Sequence, residues 1–202
     1  ELSIPYMYVG EYLEESPLGK AEWLVALAEL TDSREKGIEI FREIPKRYQV
    51  LKALTESVEQ RPTVMLNTPW NDSWVMPSTQ SYMAQLVTDA GADYIYKENT
   101  SNSSTPIGLE TAYKLIQKAD YWINVGMAST LDELKTVNPK FADAKAVREK
   151  TVYNNNLRTT PTGGNDYWES AVVRPDFVLR DLIHIFHPEL VSDSLYYYRH
   201  LE

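Results

Sequence analysis

The sequence predicts an α/β fold built on a mostly parallel sheet, and two observations support this prediction. From residue 61 onward, short runs rich in β-branched and aromatic residues alternate with helical patterns. Such alternation is expected when each strand is followed by a helix that returns along the sheet. Before residue 61, two helical patterns stand outside the alternation. The 202 residues are enough for one ordinary domain with an appendage.

The first elements are a strand and a helix. We predict a strand over residues 2–9, followed by an acidic connection. Ser16 and Pro17 indicate a helix start, with Ser16 as the N-cap and Pro17 at the first helical position. This helix is expected to end near residues 31–32.

A second, longer helix is predicted from Ser33, which caps it, toward residue 60. Its apolar residues recur every three or four positions and form one stripe. Pro45 lies inside this pattern. Because proline removes a backbone hydrogen-bond donor, we expect Pro45 to kink or split the helix.

Beyond Pro62 the alternating units follow one another. Gly91 takes the place after a helix where glycine is common, and residues 98–105 are predicted to be a soft, exposed polar loop. The predicted strands cover residues 63–67, 93–96, 121–125 and 151–153, and the predicted helices cover 79–90, 107–118, about 130–136 and about 141–147, with a last helical stretch broken at Pro175.

These elements together predict a three-layer α/β/α, Rossmann-like lobe preceded by a long helical strut. We place the boundaries of the chain's regions at residues 1–16, 17–60 and 61–202. The first region is a strand with its connection, the second is the helical strut, and the third is the α/β lobe.

Composition excludes several classes of function. The formal net charge of −9 argues against a nucleic-acid partner, because binding phosphates requires a surplus of Lys and Arg. The chain has no cysteine, so it forms no disulfide and has no thiolate metal site or cysteine nucleophile. No apolar run reaches the roughly 18 residues of a membrane span. The 14 tyrosines and 5 tryptophans outnumber the 4 phenylalanines, which favours binding surfaces.

The first aromatic segment, residues 69–82, follows the predicted strand 63–67 and leads into a helix. It carries Trp70, Trp74 and Tyr82, and the polar Asn71 and Asp72 between the indoles keep the loop hydrated. In an open α/β sheet, ligands bind at the loops that leave the carboxyl ends of the strands. We therefore expect at least one of these rings to face a ligand and at least one to pack in the core.

The second aromatic segment, residues 154–168, follows the last predicted strand. A connection longer than about a dozen residues is usually functional or disordered. Within it Arg158 is a candidate contact for an anion, although most such arginines form surface pairs. Asn165, Tyr167 and Trp168 stand at its end, before a helix. We expect the two aromatic segments to meet at one edge of the sheet.

Neither a catalytic nor a metal motif emerges from the polar residues. His184 and His187 have a spacing that can chelate a metal, but without a third ligand nearby, interaction with the helix end is the better interpretation. The sequence has no nucleophile-elbow, His-Glu-x-x-His or Walker pattern. We therefore predict a non-enzyme without cofactor or metal.

Several stretches of the sequence resemble one family over nearly the whole chain. The segments are Glu11–Trp23 (EYLEESPLGKAEW), Asp89–Tyr94 (DAGADY), Ala119–Asn124 (ADYWIN), Gly163–Glu169 (GGNDYWE), and Pro175-Asp176 through His187–Leu190. Together and in this order they are similar to periplasmic substrate-binding proteins of ABC importers for iron-siderophores, haem and cobalamin.

The resemblance implies a two-lobe binding protein whose ligand is held between α/β lobes joined by a rigid helix. It implies that residues 1–16 are the last strand and connection of a first lobe that this chain lacks. Pro45 departs from the unbroken helix of the family. The expected protein is periplasmic, with a lipid anchor as one option, and binds a metal chelate without catalysis.

The resemblance also implies residue roles. The candidate ligand-binding residues are Trp70, Trp74, Tyr82, Arg158, Asn165, Tyr167 and Trp168. Glu110, at a helix start, matches the glutamate with which the second lobe docks to an ABC permease; a helix-start carboxylate favoured by the helix dipole is the simpler explanation, and both can hold. Two alternatives stay open: a carbohydrate-active or carbohydrate-binding α/β protein using the tryptophan-rich loops, and a structural interaction module.

Overall fold

A computed structural model describes residues 6–202 of the chain. Residues 6–10 form no regular secondary structure, and a short 3-10 helix follows at Glu11–Leu13. The strand predicted for residues 2–9 is therefore not found over residues 6–9, and its remainder lies outside the described residues.

Two helices in contact form the strut. Helix α1 spans Pro17–Leu30, and the predicted cap is confirmed because the Ser16 hydroxyl accepts the Gly19 N–H at 3.3 Å. Helix α2 spans Arg34–Leu54 and continues through Pro45, so the predicted split does not occur. The two helices approach closely at Gly37, where a Cβ atom would lie 2.5 Å from the Ala28 Cβ.

The central sheet confirms the predicted α/β class. It has five strands: β1 (Thr63–Leu66), β3 (Asp93–Tyr94), β5 (Tyr121–Ile123), β6 (Val152–Asn154) and β7 (Arg199–His200). Their order is β3-β1-β5-β6-β7, with the first four parallel and β7 antiparallel to β6. The sequence pattern did not predict β7.

Most of the remaining helices fall into two groups, each held together by contacts among its members. Helix α7 (Pro175–Phe186) contacts both α2 and α3 (Tyr82–Asp89), while α5 (Leu131–Val137) and α6 (Lys145–Glu149) both contact the 3-10 helix between them, Pro139–Asp143. Pro175 begins α7 instead of breaking it, as its fixed φ allows in a first helical turn. Helix α4 spans Leu109–Ile116 and belongs to neither group.

A two-stranded antiparallel ribbon was missed by the sequence pattern. It pairs β2 (Ser73–Met76) with β4 (Thr105–Gly108), where turns and an exposed loop were predicted. In β2, burial alternates: Trp74 and Met76 are fully buried, whereas Val75 between them is exposed. This period of two is what a strand with one face on the core requires.

The core lies between the sheet and both groups of helices. Val64, Met65, Leu66 and Ile123 are fully buried, as the inner strands of a sheet covered on both faces should be. Among residues 6–202, no helix has the length and apolar character needed to cross a bilayer. The division of the chain at residues 16 and 60 stays a prediction.

Candidate functional site

The topology places both aromatic segments at the same edge of the sheet. Strands β1, β5 and β6 are parallel, so their carboxyl ends lie together. We call the surface formed by the three segments that leave these ends the rim: residues 67–72 after β1, 124–128 after β5, and 155–168 after β6. Strand β5 lies between β1 and β6, so its segment separates the two aromatic ones.

The β1 segment presents Trp70 at the base of a tight turn. Trp70 and Ser73 exchange two backbone hydrogen bonds, of 2.9 and 3.2 Å, around Asn71 and Asp72. Asn71 has a positive φ of 51°, which asparagine tolerates better than most residues. The Trp70 side chain is 78% exposed.

The β5 segment fits closely against the β1 segment. A Cβ atom at Gly126 would lie 3.3 Å from the Thr68 hydroxyl oxygen, and Gly126 has a φ of +70°, so a side chain here would be both strained and crowded. Met127 follows and is 92% exposed. The segment thus adds an apolar thioether to the rim between the two aromatic segments.

Buried asparagines hold the β6 segment to the β5 segment. The Asn154 amide donates to the carbonyls of Gly126 (2.9 Å) and Ala128 (2.7 Å), and the Asn156 amide donates to that of Ala128 (3.1 Å). Sequence reasoning gave these two residues no role. The available signal was three successive asparagines at the end of a strand.

The second aromatic segment ends in a 3-10 helix, Asp166–Trp168, which is capped by Asn165. The Asn165 side chain accepts the Tyr167 N–H at 3.0 Å and donates to the Asn155 carbonyl at 3.0 Å. Trp168 is 67% exposed, whereas Tyr167 is buried. Asn165 therefore orients the helix, and Trp168 is the ring that this segment offers to solvent.

Arg158 is exposed but already paired. Its Nε donates to the Asp166 carboxylate at 2.7 Å, and its guanidinium lies 4.3 Å from the centre of the Tyr196 ring. The hydrogen bond from Arg158 holds the pKa of Asp166 below its usual value. The pair fixes the guanidinium in place and offsets part of its charge.

Two tyrosines lie beneath the rim. The Tyr167 hydroxyl donates to the Met83 sulfur at 3.2 Å, and burial raises the Tyr167 pKa to about 12. Tyr82, at the start of α3, is partly exposed, and the Lys20 amine lies 5.3 Å from its ring centre. Burial of the phenol raises the pKa of Tyr82 well above its usual value.

The structure places Trp74 in the core, which corrects its assignment as a ligand-facing residue. The side chain is fully buried and donates its N–H to the Leu66 carbonyl at 2.9 Å. Its ring lies 5.6 Å from that of Trp122 and 6.2 Å from that of Phe141. The physical reason is β2, whose alternation turns Trp74 inward.

Glu110 lies in the first turn of α4, outside the rim. Its side chain is 85% exposed, and its carboxylate accepts a hydrogen bond from the Lys114 amine at 2.7 Å. This hydrogen bond lowers the pKa of Glu110. The residue is accessible to a partner, which would have to compete with Lys114.

The histidines near the end of α7 make structural contacts. A ring nitrogen of His184 lies 2.8 Å from the Val191 carbonyl oxygen, and one of His187 lies 2.9 Å from that of Gly91. Within the described part of the chain, no group of three or more His, Cys, Asp or Glu side chains is arranged to hold a metal ion.

Comparison with known proteins assigns the chain to a family. A sequence model described as periplasmic binding protein matches residues 11–156. The chain belongs to the periplasmic binding protein family. The family and its solved structural neighbours are binding proteins, not enzymes.

Curated proteins similar to the chain are longer than it is. The uncharacterized lipoprotein MJ0878 of Methanocaldococcus jannaschii is 29% identical over 192 residues, which are 94% of this chain and 44% of that protein. The chain thus spans about half the length of the curated relatives it matches.

Solved periplasmic binding proteins share the fold. The TroA-like periplasmic binding protein FepB of Veillonella parvula has a TM-score of 0.63 at 18% identity, covering 97% of this chain and 64% of that one. A periplasmic heme binding protein of Pseudomonas aeruginosa has a TM-score of 0.62 at 16% identity, covering 86% and 61%.

Proposed function

We propose that this chain is one lobe of an extracytoplasmic solute-binding protein that serves an ABC importer. Its solute is a metal chelate of the iron-siderophore, haem or cobalamin type, which the protein delivers to a membrane permease. Membership in the periplasmic binding protein family supports solute binding as such. The names of the relatives, among them a heme binding protein and a lipoprotein, support the chelate and a lipid anchor.

The observation that carries the proposal is the exposed apolar surface of the rim. Trp70, Met127 and Trp168 are each more than half exposed, and all three lie at the carboxyl edge of one parallel sheet. In open α/β sheets, ligands bind at this edge, and large aromatic side chains exposed there suit a flat, partly apolar ligand. Arg158, fixed by Asp166, supplies a positive charge beside them.

The other candidate residues take supporting roles in this proposal. Asn165 sets the orientation of the helix that carries Trp168, and Tyr167 and Tyr82 form the layer beneath it. Because the chain spans about half the length of its relatives, we propose that the rest of the protein supplies the opposite wall of the binding cleft. Full affinity is expected only when both walls are present.

The decisive experiment is a titration of the full-length protein, with binding monitored by tryptophan fluorescence. The ligands to be tested are ferric siderophores, haem, cobalamin and oligosaccharides. We expect quenching by one of the metal chelates. The double variant Trp70→Ala/Trp168→Ala should bind that chelate at least about tenfold more weakly, the loss expected for a central aromatic contact.

A matched control removes an exposed apolar side chain at a distance from the rim. Leu30, at the end of α1, is 59% exposed, and Leu30→Ala should bind the chelate as the unchanged protein does. Binding of the chelate that survives in the double rim variant would contradict the site. A response to oligosaccharides alone would replace the chelate with a sugar as the ligand.

We further propose that Glu110 docks to basic side chains of the permease. The exposed carboxylate in the first turn of α4 supports this role. In a pull-down with the cognate permease, Glu110→Arg should reduce capture of the loaded protein without changing its affinity for the ligand. Unchanged capture would remove the docking role and leave the rim proposal intact.

A further inference from the structure

A second concave site lies outside the rim, between helices α2 and α7. This groove has a volume of about 390 Å³, which is within the usual range of about 300–1,000 Å³ for small-molecule sites. Val50, Leu51 and Phe177 provide its apolar surface, and Lys46, Arg47 and Arg180 contribute basic side chains. Neither aromatic segment contributes to it.

The charge of the groove is opposite to that of the chain. Three basic side chains and one carboxylate, Asp176, line it, whereas the whole chain carries a net charge of −9. Asp176 is 2% exposed and is engaged by Arg47, with Nε and Oδ2 2.6 Å apart. Arg47 and Asp176 therefore offset each other. The other two charged residues that line the groove, Lys46 and Arg180, are both basic, and their carboxylate partners Glu43 and Asp181 lie outside the lining.

Arg180 has hydrogen-bonding capacity left for a ligand. Its one ion-pair contact within the described residues is with Asp181, at 3.4 Å. That carboxylate already accepts the backbone N–H groups of Tyr196, Tyr197 and Tyr198, at 2.6 to 3.2 Å. A guanidinium carries five N–H donors, and the one hydrogen bond that Arg180 makes within the described residues, to Asp181, uses one of them.

The surroundings of Phe177 hold the apolar surface in place. The Arg180 guanidinium lies 4.7 Å from the ring centre and that of Arg174 lies 3.8 Å from it, while the Tyr196 ring packs edge-on at 4.9 Å.

Lys46 is paired with Glu43 at 2.7 Å, but both side chains are exposed. Such exposed ion pairs contribute little to stability, so Lys46 can leave Glu43 at little cost.

We propose that this groove binds a small amphipathic anion, an organic acid with an aliphatic or aromatic body. The body lies on Val50 and Phe177, where it removes apolar surface from water, and the carboxylate meets Arg180 in a charge-assisted hydrogen bond. Lys46 turns toward the same carboxylate. A neutral analogue loses the charge-assisted contact, and a cationic analogue meets like charges.

Calorimetric titration of the full-length protein with octanoate, octanol and octylammonium tests this proposal. We expect octanoate to bind with one-to-one stoichiometry, octanol to bind at least about tenfold more weakly, and octylammonium not to bind. Arg180→Glu and Val50→Asp should each weaken octanoate binding at least about tenfold. Val50 is 67% exposed, so Val50→Asp tests the groove without disturbing the core.

Matched controls separate the groove from the rest of the surface. Arg42→Glu reverses an exposed charge on α2, the helix that carries Lys46 and Val50, and Leu30→Asp adds a charge at an exposed apolar position on α1. Both should bind octanoate as the unchanged protein does, as should Trp70→Ala/Trp168→Ala. The proposal is overturned if octanoate does not bind, if octanol or octylammonium binds equally well, or if Arg180→Glu has no effect.

Discussion

Four of the five tryptophans form two pairs with opposite surroundings. Trp74 and Trp122 are fully buried, and their indole N–H groups donate to the carbonyls of Leu66 and Asn67, at 2.9 and 2.6 Å. Trp70 and Trp168 are mostly exposed. Trp70 and Trp74 are only four residues apart, so the backbone, not the residue type, decides which indole reaches solvent.

The buried pair supports the exposed one. Leu66 and Asn67 are the residues where β1 ends and the rim begins. Their carbonyls would otherwise be unsatisfied at the edge of the core, and an unpaired buried polar group is costly. By accepting the two indole N–H groups, they fix the strand end from which the Trp70 turn extends. The core tryptophans therefore position the rim from beneath it.

The largest expected effect comes from breaking the buried pair. Trp74→Ala removes a fully buried ring that packs on Trp122 and Phe141, and such changes cost about 3–5 kcal/mol in the free energy of unfolding. Trp70→Ala removes a ring that lies mostly in water and should change this free energy by less than about 0.5 kcal/mol. Urea denaturation followed by far-UV circular dichroism measures both.

A mild effect of Trp74→Ala would contradict the predicted difference between the two variants. If Trp74→Ala were as mild as Trp70→Ala, Trp74 would not be part of the core, and β2 would not hold its ring inward. Leu30→Ala serves as the control for loss of an exposed apolar side chain and should match Trp70→Ala.

A smaller effect is expected from the polar layer that joins the rim segments. Asn154→Ala leaves the Gly126 carbonyl without its side-chain donor and leaves the Ala128 carbonyl with the Asn156 amide alone, and a lost buried hydrogen bond of this kind costs about 1–3 kcal/mol. If the rim binds the solute as proposed, the variant should also weaken ligand binding, because the β5 segment loses two of the three hydrogen bonds that it accepts from the Asn154 and Asn156 amides. The exposed Asn102→Ala is the matched control. Equal unfolding free energies for the two variants would contradict this role for Asn154.

A third prediction concerns alkaline pH. Burial raises the pKa of Tyr167 to about 12, above the value of about 10 for an exposed tyrosine. The stability that follows from this difference is complete below pH ~10 and is lost as the pH rises toward about 12. Tyr167→Phe should therefore lose stability less steeply over this interval, as measured by urea denaturation at stepped pH. If stability fell with pH as steeply in Tyr167→Phe as in the unchanged protein, the Tyr167 pKa would not be raised in the folded state.

Much of the fold followed from local patterns. The alternation after Pro62 predicted a mostly parallel sheet and the succession of its strands and helices along the chain, and parallel strands bring their carboxyl ends to one edge. The position of both aromatic segments at that edge was therefore predictable. Ser16 and Pro17 likewise marked a helix start because capping depends on neighbouring residues alone.

The missed features depend on contacts between distant residues. Strand β2 has only three alternating positions after a turn-forming stretch, and its partner β4 lies far along the chain, so no local pattern identified the ribbon or the burial of Trp74. The hydrogen-bonding role of Asn154 and Asn156 could not be predicted either, because their carbonyl partners belong to the β5 segment. A polar residue is recognised as part of a buried layer only when its partners are known.

The smallest effect is expected at Glu110, on a helix that belongs to neither tryptophan pair. Lys114→Ala removes the amine whose hydrogen bond lowers the Glu110 pKa, so this pKa should rise toward its ordinary value. The denaturation midpoint should stay the same, because exposed ion pairs contribute little to stability. An NMR titration of the Glu110 carboxyl measures the pKa, with Lys135→Ala, which breaks the Asp132 pair on α5, as the control that leaves Glu110 unchanged. An unchanged pKa in Lys114→Ala would show that Glu110 is already unpaired in solution, and a permease would then not have to displace Lys114.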